Sequence, residues 1–297
     1  MVVGLVGCGN WGRNILRDLV SLGCEVPVVA RSRESIARAE EGGASAIVRD
    51  IGSLPILDGA VVATPTTTHA LVLEEMLERE LPVFCEKPLT DDPEAAERLA
   101  ARAPDTLFVM DKWRYHQGVQ ELAAIARERR LGAVSGLRTV RVGWGNPHDD
   151  ADPVWVLAPH DLAIGYEIFG AFGQPEAAVA QWVDGGAAHL SGVLRGDGWW
   201  QTLEVSERSV QRKRVVELYC DDGVAVLGDG WDEHVTVFRD GPEGVMEERI
   251  ETPGELPLLA ELRAFVEHLQ GGPPPRSSAA EGAAIVTAIA ELRALAA

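Results

Sequence analysis

Three short stretches hold residues whose types and spacing suit chemistry. Residues 7–12 read Gly-Cys-Gly-Asn-Trp-Gly, a G-x-G-x-x-G run. Gly7, Gly9 and Gly12 permit a tight turn and close approach of the backbone to a pyrophosphate. Its charge then rests on the free N–H groups and positive end of the following helix. Asn10 and Trp11 complete that loop, whose alternative reading is a glycine turn with no ligand. Residues 31–33 are Arg-Ser-Arg. Roughly 20 residues past the glycines, an NAD site carries Asp or Glu for the ribose hydroxyls, and no acid stands here. Arg31 and Arg33 offer guanidinium forks and Ser32 a hydroxyl, groups suited to a ribose 2′-phosphate. NADP(H) is therefore expected over NAD(H), unless the arginines merely open the surface helix that follows. Residues 83–89, Val-Phe-Cys-Glu-Lys-Pro-Leu, read as a buried strand that stops at a charged pair. Pro88 disfavours a helical Lys87, which leaves that lysine extended at a strand's carboxyl end, where open α/β sheets bind ligands.

Those stretches need elements to hold them. Residues 2–6 form a short apolar strand and 13–20 a helix; 26–30 are a second strand with Pro27 near its start, followed by a surface helix over 34–40. Residues 60–63 are a buried strand ending in Thr64, Pro65, Thr66, Thr67, Thr68 and His69, with a helix over 70–80. Beyond the Glu86-Lys87-Pro88 strand, Asp92 caps a helix that opens at Pro93 and runs to 103, and 107–110 form a further strand. This alternation defines a doubly wound parallel sheet of Rossmann type.

The glycine loop, the strand-end Ala-Thr-Pro-x-x-x-His and the Glu-Lys-Pro triplet, in this order and spacing, resemble the Gfo/Idh/MocA oxidoreductases. The resemblance is dense from residue 1 to about residue 115. It implies that Lys87 lies beside the nicotinamide and stabilises the developing alkoxide of the substrate. It implies too that Thr64, Pro65, Thr66 and Glu86 line the nicotinamide ribose side. His69 matches a common family position and is expected to cap or pack at its helix start. Arg114 and Tyr115 fall where the family has substrate-pocket residues. A second family motif, an aspartate four residues before a histidine, aligns with residues 156–160 and makes His160 the general acid or base. This chain departs from that motif, because Val156 stands where the aspartate belongs. Asp161 points about 100° away on a helix and cannot simply replace it, although it is retained as a substrate-binding candidate. Asp149, Asp150 or Asp152 could reach in from the acidic loop 145–152, or His160 or Tyr115 could suffice alone.

The remaining pattern is antiparallel. A helix over 117–130 ends at Gly132, a strand covers 134–144, and residues 155–162 open a helix closed by Gly170. Seven strands between 178 and 250, separated by Asp/Gly turns, read as a meander. One helix layer covers one face of such a sheet. The other face is expected to pack on a second subunit, as in the family, giving a homodimer or homotetramer, with Trp199, Trp200, Val215 and Leu218 as candidate contacts. Helices over 256–269 and 278–295 close the chain.

The chain has 297 residues, which suits two domains. These are a dinucleotide-binding domain over 1–112 and an α+β domain over 113–297 built on a large, mostly antiparallel open sheet. The last helices, 256–297, are expected to pack back toward the first domain. A net charge of −19 argues against nucleic acid or an anionic membrane as partner. The four cysteines have no paired spacing, so no disulfide or metal site is expected, and no leader or membrane-length apolar run is read; both suit a cytoplasmic protein. The expected activity is hydride transfer to or from a small polar substrate such as a sugar, sugar nucleotide or cyclitol. Imine or enamine reduction, or cofactor binding without turnover, are the alternatives.

Overall fold

The computed structural model describes residues 1–145 and 151–297; the candidates Asp149 and Asp150 lie outside the described residues. The chain divides into two compact units, Met1–Lys112 with Leu256–Val286, and Trp113–Glu255 with Thr287–Ala297.

In the first unit, β1 (Val3–Val6), α1 (Gly12–Ser21), β2 (Pro27–Val29), α2 (Arg33–Glu41), β3 (Ala46–Val48), β4 (Gly59–Val62), α3 (His69–Leu77), β5 (Val83–Glu86), α4 (Pro93–Arg102) and β6 (Leu107–Met110) alternate. The strands form one parallel sheet in the order β3-β2-β1-β4-β5-β6. Strand order reverses between β1 and β4, the topological switch point at which such sheets take ligands. β1, β4, β5 and β6 are buried throughout, as strands covered by helices on both faces must be. α4 starts as read: Asp92 accepts from the N–H of Glu94 at 2.9 Å, with Pro93 in the first turn. β3 escaped the sequence reading, because it is three residues long and Ala46 is exposed, so no apolar run marks it.

The second unit contains α5 (Gln117–Glu128), β7 (Val134–Trp144), α6 (Pro153–Phe169), β8 (Gln174–Val183), β9 (Gly186–Arg195), β10 (Trp200–Ser206), β11 (Arg208–Cys220), β12 (Gly223–Leu227), β13 (His234–Gly241) and β14 (Gly244–Glu251). Their sheet has the order β14-β13-β12-β11-β7-β10-β9-β8, so the expected meander is corrected. β10 and β11 do not pair with each other. β7 lies between them, parallel to β10 and antiparallel to β11, and the chain crosses its end at Glu207, whose carbonyl accepts from Gly145 N–H at 2.9 Å. α5 ends four residues before Gly132, because Arg129 itself takes the left-handed conformation at φ 52°. α6 begins at Pro153, capped by Asp152, which places Pro159 inside the helix and His160 in its second turn.

The helices cover one sheet face. Leu122, Ile125, Ile164 and Ile168 share a core with Leu137, Val216, Leu218, Ala225 and Val237. Leu218 is fully buried there and is not an outward contact. Val215 and Leu218 are three apart on β11, and a strand's period of two sends them to opposite faces. Trp199 is corrected too: its ring stacks on Phe169 at 3.8 Å. Trp200 lies on β10 opposite Gly136, where a Cβ would come within 2.1 Å of the indole, and its ring is 5.3 Å from that of Tyr219.

α7 (Pro257–Leu269) and α8 (Ala279–Leu295) close the chain. Leu258, Leu262, Phe265 and Val266 of α7 join the core of the first unit, with the Phe265 ring 5.0 Å from Phe84 of β5. Among the described residues, no helix is long and apolar enough to cross a membrane.

Candidate active site

The two units carry the candidate residues separately. In the first, the glycine loop joins β1 to α1. Gly7 sits at φ 98°, and a Cβ there would lie 2.6 Å from the Ala63 carbonyl, so this position requires glycine. A Cβ on Gly12 would lie 2.3 Å from the Gly7 carbonyl. Gly9 differs, since a Cβ would meet nothing within 4 Å. Its missing side chain leaves room and relieves no clash, which suits a ligand approaching the backbone. α1 has no side-chain cap and no acid in its first turn. Its N–H groups and positive dipole end therefore fit a pyrophosphate.

Arg31, Arg33 and Arg49 gather at the carboxyl ends of β2 and β3, all exposed. Arg49 donates to the Arg31 carbonyl at 2.6 Å and Arg31 Nε to the Arg49 carbonyl at 3.1 Å, a reciprocal clasp that holds two guanidinium groups side by side. Among the described residues, none of the three reaches a carboxylate. Ser32 is the N-cap of α2: its Oγ accepts from Ser35 N–H and donates to Ser35 Oγ, so its hydroxyl serves the helix. Sequence reasoning missed Arg49, whose only signal was the strand too short to detect.

At the ends of β5 and β6 stands a cluster of charge. Glu86 is buried; one carboxylate oxygen accepts from the Trp11 indole N–H and the other from Lys87 N–H at 3.1 Å. Trp11 is thus tied to the strand end, and its ring carries Lys112 Nζ 4.0 Å from the centroid. Lys87 is half-buried, and its peptide bond to Pro88 is cis. Asp111 and Glu261 are each 1 % exposed. Burial above all, then Glu86, raises the Glu261 carboxyl well above the usual range, while Lys112 and Lys87 oppose that rise. The signal for Glu261 was an acid within the apolar stripe of Leu258, Leu262 and Phe265.

Thr64 is half-buried, Pro65 exposed and Thr66 buried at the end of β4. His69, expected to cap or pack at its helix start, is a buried strut. Its ring nitrogens lie 2.9 Å from the carbonyls of Pro88 and Thr64, which ties the loop after β4 to the loop after β5.

In the second unit, His160 lies in the second turn of α6, its ring 6.4 Å from that of Trp113. Trp113 stacks on His116 at 5.2 Å and carries the Arg141 guanidinium 4.2 Å from its ring. Burial lowers the His116 imidazole; its Nδ1 accepts from Gly118 N–H and its Nε2 faces the Gly230 carbonyl. Asp161, fully buried, pairs with Arg141 at 3.1 Å, and its backbone carbonyl accepts from Gln201 at 2.8 Å. Arg114 pairs with Glu167 at 2.8 Å and is itself buried, while Tyr115 is half-buried. Asp152 is committed to the helix cap, to Ala187 N–H and to Arg293, which withdraws it as a substitute for the acid missing at Val156. Val156, one helical turn before His160, is buried.

A parallel sheet with a glycine loop at its switch point is the arrangement of a dinucleotide-binding Rossmann domain. Residues 1–109 match the Gfo/Idh/MocA family model, described as "Oxidoreductase family, NAD-binding Rossmann fold". A myo-inositol dehydrogenase of Streptomyces leeuwenhoekii is 33 % identical over 147 residues, which cover 47 % of this chain and 45 % of that protein. The chain thus matches less than half the length of that relative. The fold extends over both units in the UDP-N-acetylglucosamine 3-dehydrogenase of Acidithiobacillus ferrooxidans, with a TM-score of 0.86 and 22 % identity over 99 % of this chain and 97 % of that one. It does so too in a levoglucosan dehydrogenase that holds NADH and levoglucosan, with a TM-score of 0.88, 17 % identity, and 100 % and 98 % of the two chains covered.

Proposed function

We propose that the chain is an NADP(H)-dependent dehydrogenase or reductase that moves a hydride between the nicotinamide and a carbon bearing hydroxyl or carbonyl. The observation that carries the cofactor half is the trio Arg31, Arg33 and Arg49, exposed and, among the described residues, without a carboxylate partner in a chain of net charge −19. Three guanidinium groups at the strand ends beside the glycine loop suit a ribose phosphate, where an acid would suit a ribose diol. The relatives favour a sugar, sugar nucleotide or cyclitol as substrate. When bound, the nicotinamide accepts or returns the hydride. Lys87, in the first unit, is read as the ammonium that stabilises negative charge developing on a substrate oxygen, and His160, in the second unit, as a general acid or base. Trp11 and Glu86 orient the strand end that carries Lys87.

Titration with NADPH and NADH tests the cofactor assignment. Arg31→Asp should weaken NADPH at least tenfold more than NADH, since it removes one phosphate fork and places a carboxylate where a phosphate would lie. Equal losses would refute the preference for NADP(H).

Val156 favours a second reading, reduction of an imine, in which a proton relay through an aspartate before His160 is less needed. Turnover of an amine product with no turnover of alcohols would establish it.

The cytoplasmic chain works on this reading as a homodimer or homotetramer through the outer face of the eight-stranded sheet, where Trp200 and Val215 stand. Light scattering should give a mass of two or four chains, and Val215→Glu should lower it; a monomeric wild type would refute the assembly.

A further inference from the structure

Arg141 and Arg214 stand directly opposite each other on the antiparallel strands β7 and β11, so their side chains leave the same face of the sheet. It is the face that α6 covers, since Arg141 reaches Asp161 of that helix through contacts of 3.1–3.3 Å. Like charges directly opposite across a sheet are destabilising unless something offsets them. Asp161 offsets one. Arg212, two residues before Arg214, has its own acid in Asp229 at 3.0 Å. Among the described residues, Arg214 pairs with no carboxylate.

What Arg214 donates goes to the backbone. Its Nη1 donates to the carbonyls of Val142 and Lys213, each at 2.7 Å, beside the break in the register of β7 against β11 between Val142 and Trp144. Those bonds fix the guanidinium and leave its Nε and Nη2 edge without a bond among the described residues. Two parallel N–H groups on one edge are what a carboxylate or phosphate takes side-on. Gly143, two residues past Arg141 on β7 and hence on the same face, supplies room: a Cβ there would meet nothing among the described residues within 4 Å. Burial first, then Arg141 and Arg212, lower the Arg214 guanidinium to about 10, so it is charged at neutral pH and gains from an added anion. Trp113 joins this corner to the candidate acid or base. Its ring centre is 4.2 Å from the Arg141 guanidinium and 6.4 Å from that of His160.

We propose that Arg214, beside the Arg141–Asp161 pair, is an anion anchor for the substrate of the site that carries His160, and that this substrate therefore bears a carboxylate or phosphate. The inference deepens the dehydrogenase reading and rests on it for the role of His160. Arg214 makes no contact with the reacting atoms; it sets specificity by binding the far, charged end of the molecule. In a chain of net charge −19, such a local surplus of positive charge is what draws an anionic substrate to one place.

Calorimetric titration of the whole protein with D-gluconate, D-glucose 6-phosphate and neutral D-glucose tests the anchor. Saturating NADPH is present, so that the arginines at the ends of β2 and β3 are occupied. At least one of the two acids should bind about tenfold or more tighter than glucose, since the charge-assisted fork separates them. Gluconate alone assigns a carboxylate, and glucose 6-phosphate alone a phosphate. Arg214→Gln should abolish the preference for the acid, and Arg214→Lys, which keeps the charge without the fork, should retain part of it. The wild-type comparison stands even if a variant fails to fold. Equal binding of acid and neutral sugar, no binding of either acid at millimolar concentration, or an acid preference kept by Arg214→Gln overturns the anchor. A loss in Arg214→Gln that falls equally on all three ligands makes Arg214 a strut for the backbone and overturns it too. Each of these results, with NADPH bound, leaves the dehydrogenase reading standing. Failure to bind NADPH, with an acid preference that Arg214→Gln removes, overturns the dehydrogenase reading and keeps the anion site.

Discussion

Lys87→Met is expected to lower kcat by about 10²–10³-fold while leaving NADPH affinity within a few-fold of the wild type. Methionine keeps the length and apolar stem of lysine and removes only the ammonium, so half-buried residue 87 can still pack at the end of β5. The cofactor-side groups are separate from that ammonium: the glycine loop, the three arginines, and the backbone of Lys87, whose N–H donates to Glu86. An ammonium that stabilises charge appearing on the substrate oxygen acts mainly in the transition state, so its loss should fall on kcat and kcat/KM together. Steady-state kinetics with whichever sugar, cyclitol or imine proves to be turned over decides this. A rise in KM at constant kcat would reduce Lys87 to a binding group, and full activity would remove it from the chemistry.

Asp161→Ala is expected to destabilise the second unit by about 3–5 kcal/mol, the usual result of leaving a buried charge without its partner. Arg141 is 3 % exposed, pairs with Asp161 and lies over Trp113. Burial raises the Asp161 carboxyl while Arg141 pulls the other way, so the pair is a balance of desolvation against attraction. Removing one member upsets that balance; replacing both with apolar residues of similar size does not. The double variant Arg141→Met, Asp161→Leu should therefore recover most of the lost stability, measured by chemical denaturation. A stable Asp161→Ala protein with a raised KM would instead make Asp161 the substrate contact that its place beside His160 first suggested.

These two expectations differ in how they became visible. Lys87 was legible in one dimension, because an apolar run, a charged pair and a proline reveal a strand end, and a strand end in a parallel sheet faces ligand. The glycine loop, the arginines at 31 and 33, and the alternation that builds a doubly wound sheet were local patterns of the same kind. Asp161 was legible as an acid beside a histidine but not as a partner of Arg141, since twenty residues and a change from strand to helix separate them. The open sheet shows the same boundary. Its strands could be placed by alternation and turns, but hydrogen bonds between distant segments put β7 between β10 and β11.

The sequence by itself therefore determined the elements, the glycine loop and the lysine at a strand end, because periodicity, glycine geometry and proline restriction act over a few residues. The tertiary structure decided which charges are neutralised. It joined Arg49 to Arg31, buried Glu261 within the apolar stripe of α7, and withdrew Asp152 and His69 into structural bonds. Burial and electrostatic partnership depend on distances across the fold, and adjacency along the chain does not encode them.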